Sequence, residues 1–362
     1  MKQWRSLALA ISGIVFGIVV ACQQTKSVEP DLPGKPPLVE YQTTPYPWTK
    51  PANFPDPLYD LRKNPLTYEG VALGKSLFFD GMLSRDGTIT CAFCHIPEAA
   101  FAHTDHIVSH GIGDQLGPRN GLSIQNVAWN RAFFWDGGIH DLDLLPISPI
   151  QNPVEMGDTL TNVLEKVRTS AKYPALFKAA YGSAEVTSER FLKALSQFML
   201  TLVSANSKYD KYRRNEAGGE FTDQERRGLS LFTTHCSGCH SGELFTDQSY
   251  RNNGLLPKAT KPDLGRYSIT LLESDKYTFR VPSLRNIERN LPYMHDGRFS
   301  SLERVLNHYA TGIRDNPALD PLLKTGNQIG LPLSQQDQKD IIAFLYTLTD
   351  YSFLTDRRFK PF

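Results

Sequence analysis

"CAFCH", residues 91–95, and "CSGCH", residues 236–240, decide how this sequence folds. In each, two thiols are separated by two residues and a His follows the second directly. That is the spacing for covalent attachment of a c-type haem: the thiols add to the haem vinyl groups, and the His reaches the iron from one side. Cys91, Cys94, Cys236 and Cys239 are thus read as attachment residues, and His95 and His240 as proximal ligands. A zinc site would want four ligands and a redox pair only two thiols; neither explains a His after both pairs. The chain has five Cys, so the two motifs consume all but one.

The remaining one, Cys22, closes an N-terminal segment with the layout of an export signal. "MKQWR" carries the positive charge, Leu7 to Ala21 is a nearly unbroken apolar run, and "VVAC" ends at Cys22. The run is too short to span a bilayer comfortably. A small residue before Cys predicts lipoprotein processing, with Cys22 acylated after residues 1–21 are removed. The other reading is ordinary cleavage nearby, leaving a free thiol. Gln23 is not the acidic residue that retains many lipoproteins at an inner membrane. Either way the protein is expected to be exported and periplasmic, and the lipid would tie it to a membrane. Residues 22–64 are rich in proline, which favours extended chain and reads as a tether whose later part packs on the surface.

Two haem motifs imply two haem-bearing halves, residues 65–210 and 211–362, with "RRNEAGGE" (213–220) between them as a hinge. Apolar residues recur at three- and four-residue spacing in "LTNVLEKVRTS", "SERFLKALSQFMLTLVSAN" and "LSQQDQKDIIAFLYTLTD". Thr222 and Glu225 are spaced as a capping box opening the helix that delivers Cys236, and Ser334 is placed as an N-cap. Period-two alternation is scarce, and segments such as "DGGIHDLDLLPISPIQNPVEMGD" read as long loops. The fold class is mainly α: two cytochrome-c-like haem domains with long loops. Composition is that of a globular protein, 40% hydrophobic and 21% charged with formal net charge +1, and it makes no electrostatic case for nucleic acid. No Gly-rich phosphate loop is present.

With both motifs placed, "CAFCHIPEAAF", "GPRNGLSIQNVAWNRAFFWDGG", "PIQNPVEMGD", "CSGCH" and "FRVPSLRNIERNLPYMHDGRFSSLERV" together resemble the bacterial di-haem cytochrome c peroxidase family, which includes the MauG-type enzymes. The likeness runs from about residue 55 to about residue 350. It implies that the first haem reacts with hydrogen peroxide and that the second receives electrons from a small c-type cytochrome or cupredoxin. It also implies that Glu155 moves a proton during O–O cleavage and that Trp135 bridges the haems. His110 matches a removable sixth ligand of the first iron, with His103 and His106 close by in sequence. Asn120, with the carbonyls of Asn290 and Pro292, matches a calcium site between the domains. A homodimer is compatible with the resemblance. One departure stands out: Leu145 occupies a position where the family has a Gln that holds solvent in the pocket.

In "SSLERVLNHYATG" (300–312), Ser300 and Glu303 are spaced as a capping box for a helix over 301–311, with Gly312 as its C-cap. Leu302, Val305, Leu306 and Tyr309 form one apolar stripe, which puts His308 on the polar flank. By the resemblance, Tyr309 stands where other members have a Met ligand to the second iron, as in MauG-type enzymes. A phenolate favours ferric iron, whereas a thioether favours ferrous. The alternatives are a core tyrosine, with Met294 the nearest rival ligand. Three functions therefore stand: a peroxidase, a MauG-like oxidase of a partner protein's side chains, and a non-catalytic di-haem electron carrier.

Overall fold

The computed structural model describes residues 41–104 and 106–361. The export signal and Cys22 lie outside the described residues. Residues 41–362 form one compact unit built around two hydrophobic cores.

Each core is organised by a crossed pair of helices. In the first, Tyr68–Phe78 starts at Thr67, whose hydroxyl accepts from the Gly70 amide, and crosses Ser188–Leu200. In the second, Asp223–His235 crosses Gln335–Tyr346. The expected capping boxes are both formed, Thr222 with Glu225 and Ser334 with Asp337. Both crossings need a glycine. A Cβ at Gly74 would stand 1.9 Å from the Ala194 carbonyl oxygen, and one at Gly228 1.9 Å from that of Asp340. The backbones approach this closely because no side chain intervenes, and Phe198 and Phe344 fill the space beside the two contacts.

The repetition continues in the loops. Asn126 and Asn286 both take left-handed backbone angles and open the 3-10 turns Val127–Trp129 and Ile287–Arg289. Single bridges then pair Phe133 with Ile139 and Tyr293 with Phe299. The interval between counterparts is the same each time, and it sets Trp135 of the first half against His295 of the second. Extended structure among the described residues is slight: two antiparallel pairs, Tyr250–Arg251 with Phe279–Arg280 and Lys324–Thr325 with Gln328–Ile329.

The cores are joined by buried polar groups. Arg285 and Asp210 form a bidentate ion pair, at 2.8 and 2.9 Å, with neither side chain exposed. Such a pair resists loss of either partner, because the survivor would be an uncompensated buried charge. Arg285 also sits 4.4 Å over the Phe54 ring, and Asn53 donates to Asp210. The described end of the proline-rich segment is therefore built into the molecule: Phe54 is buried, and the Trp48 indole donates to the Leu200 carbonyl. At the other end of the chain, Phe353, Leu354 and Phe359 return to the first core, where Phe353 and Phe359 pack on Phe101.

Candidate di-haem site

The first motif is a short helix, Cys91–Cys94, capped by the Thr90 side chain. The second begins where the Asp223–His235 helix ends, with Cys236 as its C-cap. The imidazole that follows each Cys pair is fixed in the same way. His95 Nδ1 lies 2.9 Å from the Phe101 carbonyl oxygen and His240 Nδ1 3.1 Å from that of Phe245. A carbonyl can only accept, so each Nδ1 carries the proton and each Nε2 keeps a lone pair for a metal. Burial lowers both ring pKa values, holding the rings neutral. Phe101 and Phe245 both have positive φ, a conformation that turns their carbonyls back onto the rings.

None of the four motif cysteines is in a disulfide. Burial pushes Cys91, Cys94 and Cys236 up to about 12, and Cys239 up to about 11. A redox C-x-x-C works through the opposite shift, which argues against a redox pair here.

Cys91, Cys94 and His95 open on a cavity of about 1220 Å³ whose walls include Glu155, Leu145 and Trp135. Cys236, Cys239 and His240 open on a tighter one of about 240 Å³, walled by Tyr309, Met294 and again Trp135. Trp135 therefore belongs to both. Its indole N–H donates to the Asn120 carbonyl at 2.8 Å, and Asn120 lies in both walls as well.

In the first cavity the Asn152 amide donates to Glu155 Oε1 at 2.9 Å. Burial raises the Glu155 pKa above the usual carboxyl range, against the lowering effect of Asn152. A carboxyl group tuned upward in a cleft suits proton transfer. Leu145 lines the same cavity and brings no polar atom.

In the second cavity the helix differs from expectation. Its N-cap is Ser301, one residue later than predicted, with the Arg304 amide donating to the Ser301 hydroxyl. The α-helix ends at Asn307, and His308–Gly312 is a π turn, so Gly312 continues the turn. The stripe of Leu302, Val305, Leu306 and Tyr309 faces the cavity as expected. His308 is a correction: it is buried, with Nε2 2.9 Å from the Asn253 carbonyl oxygen. The wider i→i+5 turn presents two adjacent residues inward where an α-helix would present one. Burial pushes the Tyr309 phenol up to about 12, so a phenolate there needs a cation facing it. The Asn253 amide reaches both the Tyr309 hydroxyl and the Met294 sulfur at 3.5 Å.

The cavities fit haem in a further respect. Arg280 is buried between them, and burial lowers its pKa to about 10. Its Nε meets the Phe134 carbonyl, and among the described residues no carboxylate pairs with it. A haem propionate would supply that charge. Sequence reading missed Arg280, because an Arg inside a loop gives no sign that it will be buried without an acid.

Asn120 donates from Nδ2 to the Pro292 carbonyl, while its Oδ1 is buried without a partner. Turning that amide would place two oxygens side by side, a fit for a hard cation. Asn290 lies in the same wall. His110 is placed differently: its ring does not line the haem cavities but clusters with those of His103 and His106. Capping the first iron would require the loop that carries it to move.

Fold and site together define a c-type protein with two haem pockets that share one wall. The family model of the di-haem cytochrome c peroxidases matches residues 68–218. The methylamine utilization protein MauG of Methylorubrum extorquens is 38% identical over 83% of this chain and 82% of its own length. The cytochrome c551 peroxidase of Nitrosomonas europaea is 37% identical over 76% of this chain and 79% of its own. A crystal structure of a MauG-like protein associated with microbial copper homeostasis superimposes with a TM-score of 0.78 at 32% identity, over 87% of this chain and 99% of that one. The chain belongs to the di-haem cytochrome c peroxidase family.

Replacing Cys236 and Cys239 together by Ala should leave one covalently bound haem per chain where the parent protein carries two. A pyridine haemochrome assay after denaturing gel filtration checks this, and an unchanged haem count would contradict the assignment.

Proposed function

We propose that this protein reduces hydrogen peroxide to water at the first haem, using electrons that enter through the second from a small c-type cytochrome or cupredoxin. The observation that carries this reading is the pairing of a buried Glu155 of raised pKa in one cavity with Trp135 in the wall of both. Each bound haem supplies the iron and the redox equivalents. Reduction of one peroxide consumes two electrons and two protons. Glu155 would accept a proton from one peroxide oxygen and return it to the other as the O–O bond breaks, with the Asn152 amide orienting its carboxylate. Leu145 leaves this proton transfer to Glu155 without help from that side. Trp135, held by Asn120, shortens the path for electrons between the pockets. Tyr309 would be a ligand to the second iron, with Asn253 orienting its hydroxyl. His110 stays with His103 and His106 in the resting arrangement.

Around this centre we place a calcium ion on Asn120 and the Asn290 and Pro292 carbonyls. The haem domains divide near residue 210, and a lipid on Cys22 holds the exported protein at a periplasmic membrane face. Among the described residues no helix is long and apolar enough to cross a membrane. One observation favours a second reading, oxidation of a partner protein's side chains: Tyr309 stabilises oxidised iron, which suits an enzyme that stores oxidising equivalents rather than discharging them to a cytochrome.

Two substitutions test the roles. Glu155→Gln should lower peroxide turnover by about 10²–10⁴-fold with the haem spectra unchanged. The parent's kcat/KM should rise with pH as Glu155 ionises, above the usual carboxyl range, and Glu155→Gln should lose that limb. A parent-like pH profile would remove Glu155 from the mechanism. Tyr309→Met should make the second haem easier to reduce in a spectroelectrochemical titration, because a thioether favours ferrous iron. An unchanged potential and spectrum would reject Tyr309 as ligand.

A further inference from the structure

Three His side chains converge in the loop between the first haem motif and Asn120. His103, His106 and His110 each offer a ring nitrogen, and these atoms all lie within 4.8 Å of one another. The ring centroids are 4.4 Å apart for His106 and His110, 5.8 Å for His103 and His106, and 6.0 Å for His103 and His110. None of the three rings lines either haem cavity in this arrangement.

We propose that His103, His106 and His110 bind a divalent first-row transition-metal ion of the zinc or copper(II) class, at a site separate from both haems and from the calcium position. Imidazole nitrogen suits these ions, and three such donors leave one coordination position for water. Donors ~2.0–2.1 Å from one tetrahedral ion stand about 3.4 Å apart, so the widest pair has to close by up to ~1.4 Å. The burial gradient suits the task. His103 is buried and packed against Gly121, where a Cβ would come within 2.8 Å of its own. His110 is half-buried, and the exposed His106 gives the ion an entry path and has room to turn. The Asp114 carboxylate lies 3.7 Å from His110 Nδ1, where an outer acceptor would orient a ligating ring.

The position gives the ion a structural effect on the peroxide cavity. The chain beyond His110 lies against Glu155: the Ile112 amide donates to the Glu155 carbonyl at 2.9 Å, and a Cβ at Gly111 would stand 2.3 Å from that oxygen. An ion gripping His110 keeps its ring away from the first cavity and steadies the backbone behind Glu155.

The test uses the intact di-haem protein, stripped with chelator, resupplied with excess calcium and dialysed against zinc chloride. Zinc is measured by plasma mass spectrometry and its ligands by X-ray absorption at the zinc edge. The expected result is one zinc per chain with a nitrogen- and oxygen-only shell containing three imidazoles. His106→Ala, an exposed position that leaves the fold intact, should weaken zinc binding by at least about 10–100-fold, more than losing an outer partner does. The exposed His140→Ala should bind as the parent does. Absence of stoichiometric zinc, or equal retention by His106→Ala with parent-like haem spectra, would overturn the proposal.

Discussion

The hydrogen bond from the Trp135 indole to the Asn120 carbonyl is the point on which the two-pocket arrangement turns. Trp135 is large, buried and in the wall of both cavities, so its orientation fixes how the pockets meet. Asn120 is held in turn by the second half: its amide N–H donates to the His295 carbonyl at 2.7 Å and its side chain to Pro292. A residue of the first repeat thus takes its geometry from the second. The buried Arg285–Asp210 pair adds rigidity to the same seam. Electron exchange between two cofactors depends steeply on separation and orientation, and these hydrogen bonds fix the wall that the two cavities share.

The two halves use one plan and depart from it only where the chemistry differs. The His95 and His240 rings both donate to a carbonyl held at positive φ, and both helix pairs cross at a glycine. The departures sit on the opposite faces. The first half offers a carboxyl of raised pKa in a roomy cavity, and the second offers a phenol in a tight one. At equivalent places in the repeat, one half carries Trp135 and the other His295, the latter stacked on Phe279 at 3.7 Å. The proposed division of labour, one half reacting and the other supplying electrons, rests on these few departures from a shared plan.

The two C-x-x-C-H motifs stand out in the sequence because covalent haem attachment imposes a fixed spacing. The capping boxes at Thr222 and Ser334 were legible because a cap is a local hydrogen bond between residues three apart. The stripe leading to Tyr309 followed from helical periodicity. What periodicity could not convey was the change of helix type after Asn307, which buries His308 beside Tyr309. Long-range facts were equally hidden. Nothing local to Arg280 shows that two cavities flank it, and nothing in "FAHTDHIVSH" (101–110) shows that three rings meet. Gly74 and Gly228 look like helix-weakening residues until the carbonyls that cross them are seen.

The most direct test mixes the fully oxidised di-haem protein with one equivalent of hydrogen peroxide in a stopped-flow spectrophotometer, with and without reduced small cytochrome c. The account predicts an immediate change in the haem spectrum, followed by rapid oxidation of the cytochrome, with no prior reduction of the second haem. A haem spectrum indifferent to peroxide would contradict it. So would an altered spectrum that the cytochrome fails to discharge, and that result would point instead to a protein substrate.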